Sequence, residues 1–421
     1  MEQELQISII KELRRQVANR VNVDAGVMYK NPTSVYTCPK VAQKEWTTFF
    51  REHPQLIGLS CDLPKPHSYK TVDDFGVPVI ATRDSEGKFR AFVNSCRHRG
   101  TRVATDARGE SKRFVCPFHN WAYSSGGELV GIPQENHFGK VDKSCHGLIE
   151  LPAVEHFGLL FVHPQPDGQI DIDALLGRLA PELADAGLDQ CIVVNESETR
   201  MRLNWKLAND TFGETYHFQK LHRETLGKIV HGDALAYEEM GRNHRFVFAT
   251  KAIELMCSMV PEESWNVRDV TFMNYYLFPN VQMTLSAPGI ALALIYPDPS
   301  DPSYSLTRFI NYMTPEAIEA EKNAGPDTKL ITADNIFEDL ELTAATPPVI
   351  TRSAFKEVAS SIFEAEDYLM GEYAQRTAES GTLDHLIFGR NEPALHHYHN
   401  TYREALGMPP LEPFEDAGTA A

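Results

Sequence analysis

No run of about eighteen consecutive apolar residues, the least that a bilayer-spanning helix needs, occurs in the 421 residues, so no membrane span is expected. Low-complexity tracts and internal repeats are missing too, which argues against a disordered chain and against a solenoid. Basic residues are the minority: 40 Lys and Arg against 58 Asp and Glu give a net charge of −18, which works against binding nucleic acid or an anionic membrane over the general surface. The first twenty residues mix charges with apolar residues at helical spacing and lack the basic start, apolar middle and small-residue cleavage site of a signal peptide. A cytoplasmic protein is the expectation. Cysteines are few and odd in number, and five of the seven (Cys38, Cys61, Cys145, Cys191 and Cys257) are scattered without repeated spacing, unlike a disulfide framework.

What remains is an ordinary globular composition, 42% hydrophobic and 23% charged, in a chain long for a single core. Residues 1–43 read as a helical segment and a connector, expected to pack on the larger domain. Residues 44–165 are strand-rich: VPVIATR and FRAFVNS flank DSEGK, a hairpin signal with Gly87 near the bend, and further short β runs follow. After the turn-rich PQPDGQIDID, residues 166–421 begin with a helical stretch, continue as β-rich runs from 192 to 313, and end in helices at 315–324, 333–344 and 350–377. Strands followed by helices predict an α+β fold: a small antiparallel β domain, and a larger domain whose antiparallel sheet is covered by helices.

The two remaining cysteines lie in CRHRGTRVATDARGESKRFVCPFHNW, where Cys96-x-His98 and Cys116-x-x-His119 stand seventeen residues apart. Thiolates and imidazoles both bind borderline-soft metals. Structural zinc is the first competitor, but zinc fingers usually draw two cysteines from one knuckle and two histidines from the other. Here each loop supplies one of each. That mixture suits a two-iron, two-sulfide cluster with both thiolates on one iron and both imidazoles on the other; the neutral imidazoles raise its reduction potential, and one-electron transfer is the expected role. Trp121 is expected to pack beneath it. The stretch is also locally basic, with Arg97, Arg99, Arg102, Arg108, Lys112 and Arg113 against only Asp106 and Glu110. This is either a solvated loop or a positive rim for docking an acidic partner, with Arg97 and Lys112 as the candidate contacts.

A second constellation lies in NWKLANDTFGETYHFQKLH, residues 204–222. On a helix Glu214 and His217 share a side and Asp210 is nearly in line with His217, whereas His217 and His222 diverge. If both histidines bind one metal, the helix must widen or end between them. Two histidines and one carboxylate form a facial triad for iron(II), and the His-Glu-x-x-His of a zincin is absent. The competing reading is two ordinary polar positions on a half-buried helix. The third ligand is expected on SSIFEAEDYLMGEYAQ, where the apolar face runs through Phe355, Val358, Ala359, Ile362, Leu369 and Tyr373. Ideal periodicity puts Glu366 near the centre of that face and Asp367 towards its edge. The HHYH run at 396–399 has adjacent histidines that point apart and no nearby carboxylate or cysteine, so it reads as surface structure or a subunit contact. His137, His146 and His163 read as structural.

Cys96-x-His98-Arg99-Gly100 and Cys116-Pro117-Phe118-His119-x-Trp121 resemble the two binding loops of Rieske proteins. Asn204-Trp205-Lys206, Tyr216-His217 and His222 resemble the catalytic domain of Rieske non-haem iron oxygenases, the terminal α subunits of aromatic-ring-hydroxylating dioxygenase systems. The resemblance implies a Rieske [2Fe-2S] cluster on Cys96, His98, Cys116 and His119, and mononuclear Fe(II) on His217, His222 and Asp367, the last in preference to Glu366. It implies O2 as co-substrate, and NADH-derived electrons delivered by a separate reductase, with or without a ferredoxin. The family usually has aspartate where this chain has Glu214, linking the first iron histidine to a Rieske histidine of a neighbouring subunit. A glutamate can still accept from both imidazoles, so the implied electron route runs through His119 and Glu214 in a homotrimer, with or without a small β subunit. Glutamate there is also similar to the branch that oxidises quaternary ammonium compounds. Glu214 and Asp210 are the candidate catalytic residues, and Asp210, Thr211, Phe218 and Phe363 the candidate substrate pocket. The implied function is a terminal oxygenase that hydroxylates a small organic substrate, an aromatic compound first. The alternative is monooxygenation or demethylation of a smaller polar or quaternary ammonium compound, and the reading of another class is a non-catalytic Rieske electron carrier.

Overall fold

The computed structural model describes residues 1–338 and 348–414, and the chain divides into two compact units. One comprises Glu45–Ala174 with Gly187–Asp189; the other comprises Met1–Lys44, Leu175–Ala186 and Gln190–Ala421.

Short strands joined by tight turns build the smaller unit. Val79–Arg83 pairs antiparallel with Phe89–Val93. Asp84 closes the connection: its carboxylate accepts the Glu86 and Lys88 N–H groups at 2.9 and 3.0 Å, and Gly87 takes the left-handed φ of 83°. Ser68–Val72, Arg108–Glu110 and Glu150–Leu151 complete a five-stranded sheet. Two three-stranded sheets make up the rest, one of them formed by Arg113–Val115, Ala122–Ser124 and Leu129–Gly131. Tyr69, Ile80, Phe92, Phe114, Tyr123 and Leu129 enclose Cys96 and Cys116 in one apolar cluster.

In the larger unit seven antiparallel strands form one sheet, in the order Ile192–Met201, Ser305–Met313, Gly289–Pro297, Val281–Ser286, Thr271–Leu277, Asn243–Thr250, Val230–Met240. One register row crosses it through Phe246, Asn274, Thr284, Ala291 and Asn311. Side chains two residues along a strand share a face, so Phe248, Phe272 and Ser286 lie on the same side as that row. The amino-terminal helix Gln3–Asn19 buries Ile9, Ile10 and Leu13, and the Gln16 amide exchanges bonds of 2.9 and 2.7 Å with the backbone of Leu235 on the edge strand. That contact satisfies polar backbone that an edge otherwise leaves open.

Three expectations need correction. Residues 333–337 form turns rather than a helix, because the Asn335 side chain accepts the Thr332 N–H at 2.7 Å and donates to the Leu330 carbonyl at 3.1 Å; residues 339–344 lie outside the described residues. The late helix is not uniform: Arg352–Lys356 and Tyr368–Ser380 are α-helical, but Glu357–Ser361 and Phe363–Asp367 are π-helical. Each wider turn rotates everything downstream, so Leu369 and Tyr373, expected on the apolar face, are 37% and 52% exposed. The histidines of HHYH are buried within the helix Pro393–Ala405, not on the surface. Their partners come from far away in sequence: His399 Nε2 lies 2.9 Å from Asp210, and His397 Nδ1 lies 2.9 Å from His244 Nδ1.

Candidate metal centres and active site

The two Cys/His loops are the same turn made twice. The Cys96 N–H donates to the Thr101 carbonyl and the Cys116 N–H to the Trp121 carbonyl, both at 2.8 Å. The Gly100 and Asn120 N–H groups return to the carbonyls of Cys96 and Cys116, both at 2.9 Å. Each loop reverses through one left-handed residue, Gly100 at φ 74° and Asn120 at φ 57°, the residue types that tolerate that region best. This geometry buries both thiols and leaves the His98 and His119 rings 4.6 Å apart, centre to centre. Trp121 lies beneath His98, stacked at 5.1 Å with planes 11° apart. The Tyr123 hydroxyl sits 3.3 Å from Cys96 Sγ and accepts the Arg97 N–H at 2.9 Å. Burial pushes the Cys116 thiol up from its ordinary range. His98 Nδ1 is buried without a hydrogen-bond partner. Two buried thiols beside an orphaned imidazole nitrogen are ill-suited to a metal-free core and well suited to an iron–sulfur cluster.

Of the basic rim, Arg102 pairs with Asp73 at 2.7 Å and Arg108 with Asp62 at 3.2 Å. Arg97, Arg99, Lys112 and Arg113 are exposed, as is Phe118, whose ring lies 6.0 Å from the Arg99 guanidinium.

In the larger unit the helix Trp205–Asp210 is capped by Asn204, which accepts the Lys206 N–H at 3.0 Å. The helix stops at Asp210, and 211–225 continue as successive turns. Glu214, His217 and His222 therefore do not sit on a helix, and the divergence expected of a five-residue spacing never arises. The Nε2 atoms of His217 and His222 lie 3.2 and 3.3 Å from one oxygen of Asp367, and one donor atom from each of the three falls within 4.8 Å of the others. Behind each ring stands a carboxylate. Glu214 accepts from His217 Nδ1 and from the backbone N–H groups of Tyr216 and His217; Glu366 accepts from His222 Nδ1 at 2.7 Å and from the Thr225 hydroxyl at 3.1 Å.

The structure thus separates the two neighbouring acids that helical phase ranks the other way. Asp367, 2% exposed, meets both imidazoles, while Glu366 stands behind one of them. Burial pushes the Asp367 carboxyl up, but the two histidines outweigh it and hold it below its ordinary value. Burial likewise depresses His217, yet Asp367 and Glu214 prevail and raise it to about 10. His217 Nε2 and Asp367 Oδ2 are buried without hydrogen-bond partners. A divalent cation would satisfy both and neutralise the carboxylates around it.

Asp210 is not part of this group. Its oxygens take the Tyr36 hydroxyl at 2.8 Å and His399 at 2.9 Å, which makes it a brace between helices, and it does not line the cavity. The cavity beside the histidines has about 70 Å³ open to the centre of a water-sized sphere, several times what one water needs. Thr211, Phe218 and Phe363 line it together with Glu214, His217 and His222. Five more phenylalanines, Phe212, Phe246, Phe248, Phe272 and Phe355, give the walls their aromatic character. Sequence reasoning missed Glu366 as a brace for His222, and it missed a polar wall of Asn274, Thr284 and Ser286. The signal for the wall was present: polar residues at period two within otherwise apolar strands, Phe272-x-Asn274 and Gln282-x-Thr284-x-Ser286.

The ring hydroxylating alpha subunit (catalytic domain) family matches residues 188–408, and the Rieske [2Fe-2S] domain matches residues 53–152. The chain is 34% identical over 205 residues to the glycine betaine monooxygenase oxygenase subunit of Chromohalobacter salexigens, across 48% of this chain and 45% of that one. It is 31% identical over 190 residues to biphenyl 2,3-dioxygenase subunit alpha of Rhodococcus jostii, across 44% and 41%. The chain spans under half the length of these curated relatives. Among solved structures, a quaternary ammonium Rieske monooxygenase superposes with TM-score 0.70 at 18% identity over 90% of this chain and 96% of that one. Naphthalene 1,2-dioxygenase with indole bound does so with TM-score 0.67 at 19% identity over 93% and 94%. A cluster-binding domain followed by a catalytic domain, the latter matched over more than half of all residues, places the chain in the ring hydroxylating alpha subunit family, whose members are Rieske non-haem iron oxygenases.

Proposed function

We propose that the chain is a terminal oxygenase that uses O2 and NADH-derived electrons to hydroxylate a small aromatic compound. Cys96, His98, Cys116 and His119 hold the [2Fe-2S] cluster, and His217, His222 and Asp367 hold mononuclear iron(II). One observation carries this reading: two imidazoles turn their Nε2 atoms onto one buried carboxylate, each ring gripped from behind by a glutamate. Bound iron supplies the activation of dioxygen. The protein's own part is positional. Glu214 and Glu366 fix each ring's tautomer and direction, and the phenylalanine walls exclude water and hold an apolar ring beside the donors. A carrier that only relays electrons has no need of this second donor set. Iron analysis with the cluster spectrum decides between the two: about three irons per chain for the oxygenase, about two for the carrier.

Among the described residues the cavity lining contains no Lys or Arg, so it offers no side-chain cation for the carboxylate of a betaine-like zwitterion. This favours an uncharged ring. The second reading, oxidation of a quaternary ammonium compound, is supported by Glu214, by the relatives named for such substrates, and by the aromatic walls, which can cage a cation.

Electrons arrive in this reading from a reductase, with or without a ferredoxin, and cross between subunits of a homotrimer by way of His119 and Glu214. Arg97 and Lys112 are the docking contacts on an otherwise acidic protein. Neutralising both as Arg97→Gln and Lys112→Gln should slow reduction of the cluster by the partner at low salt, with the difference vanishing at high salt. Stopped-flow reduction across an ionic-strength series measures this, and equal rates at low salt would remove the docking role.

A further inference from the structure

Among the described residues, the cavity wall carries the hydroxyl side chains of Thr211, Thr284 and Ser286. Thr211 lies 2.8 Å from the Ala208 carbonyl and Ser286 lies 3.5 Å from the Gly289 carbonyl. A peptide carbonyl only accepts, so the Thr211 hydroxyl donates into the protein, whereas 3.5 Å is too long to hold the Ser286 proton.

The partner of Thr284 is the Asn274 side chain, 3.1 Å away, whose amide can face either way. The answer comes from the far end of a buried chain of bonds. The Pro279 carbonyl lies 2.8 Å from the Tyr276 hydroxyl and 3.1 Å from the Tyr402 hydroxyl. The Tyr402 hydroxyl, which also accepts from the Tyr276 hydroxyl 3.1 Å away, donates to this carbonyl. Tyr402 accepts from the Asn209 amide nitrogen, 2.8 Å away, and the Asn209 oxygen faces Gln282. Gln282 donates to that oxygen at 2.7 Å and to Tyr398 at 2.6 Å, which leaves the Gln282 oxygen to accept from Asn274 at 2.7 Å. Asn274 therefore presents its oxygen to Thr284, and Thr284 donates. Every amide in this relay is buried, with Asn209 at 0%, Gln282 at 1% and Asn274 at 3% exposure, so water cannot reverse it cheaply.

Thr211 and Thr284 thus face the cavity with lone pairs, their protons held by the protein. We propose that this wall makes the site selective for an aromatic compound bearing a hydrogen-bond donor, a phenol or an arylamine, whose O–H or N–H is accepted by Thr284, with Ser286 two residues along the same strand face. The proposal rests on the oxygenase reading above and sharpens its substrate class. A ring carrying only acceptors, such as a carboxylate or a nitro group, would set lone pairs against those of Thr211 and Thr284, with no Lys or Arg among the described lining residues to relieve them. A desolvated acceptor left without a donor is the costly arrangement. The relay also explains polar amides on a sheet face that otherwise lines a phenylalanine box: they hold the Thr284 proton away from the ligand.

The test uses the iron- and cluster-loaded enzyme and four probes of similar size: phenol, aniline, fluorobenzene and benzoate. Binding is measured by calorimetry, and product formation is followed in parallel with the physiological or a surrogate reductant. Phenol and aniline should bind about tenfold more tightly than fluorobenzene, with benzoate weakest. Thr284→Val, which keeps the shape but removes the oxygen, should collapse the phenol-to-fluorobenzene ratio in Kd about tenfold, and Thr284→Ser should restore it. Benzoate binding as tightly as phenol, or a ratio unmoved by Thr284→Val in a folded, metal-loaded protein, overturns the proposal. Oxidation of phenol and fluorobenzene with equal efficiency also overturns it while leaving the aromatic oxygenase reading intact. Oxidation of choline but of no ring compound overturns both.

Discussion

Replacing Asp367 with alanine is expected to lower the iron content from about three to about two per chain and to abolish substrate oxidation, with the cluster spectrum unchanged. Asp367 supplies the oxygen on which the two imidazoles converge, 3.2 and 3.3 Å away, and it is 2% exposed, so no water can take over its place at low cost. Two imidazoles without a carboxylate would hold iron(II), a weakly bound ion among divalent metals, as a neutral bidentate pair only. The unchanged spectrum is the internal control, because the cluster ligands belong to the other compact unit. Full iron occupancy in Asp367→Ala would move the third ligand elsewhere, with Glu366 the first place to look.

Glu366 carries the second large expectation, of a different kind. Glu366→Ala should weaken mononuclear iron binding by about 10- to 100-fold without changing the ligand set. The carboxylate accepts from His222 Nδ1 at 2.7 Å and from Thr225 at 3.1 Å, and so fixes the tautomer that leaves Nε2 as the metal-facing lone pair. Glu366→Gln, whose carbonyl can still accept, should lose less than the alanine variant. Titration of the apo site with iron(II) in the presence of a competing chelator gives the affinities directly. Equal affinities for wild type and Glu366→Ala would reduce the glutamate to a surface acid, which its 25% side-chain exposure alone would allow.

The comparison of these two neighbours shows where sequence reasoning reaches and where it stops. Spacing within a short loop is legible: Cys96 with His98, and Cys116 with His119, need only a tight reversal, and Gly100 and Asn120 provide it in matching positions. The α+β architecture follows from strands that precede helices, and the seven-stranded sheet carries it. Helical phase is not legible once the helix widens. Two π-helical turns lie at Glu357–Ser361 and Phe363–Asp367, so periodicity at 3.6 residues selects Glu366 when Asp367 is the buried acid. The end of the helix at Asp210 is similarly hidden, since nothing in DTFGETYHF except Gly213 signals that turns take over.

Long-range partners are the other blind spot. HHYH looks solvent-facing because no carboxylate is near it in sequence, yet Asp210 and His244, more than 150 residues away, bury it. Asp210 looks catalytic because it precedes the iron histidines, and the same contact to His399 takes it out of the cavity. The polar wall depends on two strands being in register, which a single strand's pattern can hint at but cannot align.

The central claim is that His217, His222 and Asp367 form an oxygen-activating site supplied with electrons by a Rieske cluster of the same assembly. Turnover under 18O2 tests it most directly, with wild type and His217→Ala run side by side on an aromatic panel that includes phenol and fluorobenzene, with choline as the quaternary ammonium control. The account predicts a hydroxylated product carrying label from dioxygen in the wild type, and none in His217→Ala, whose cluster still reduces and reoxidises. Label-free product, or labelled product at an undiminished rate in His217→Ala, would contradict it.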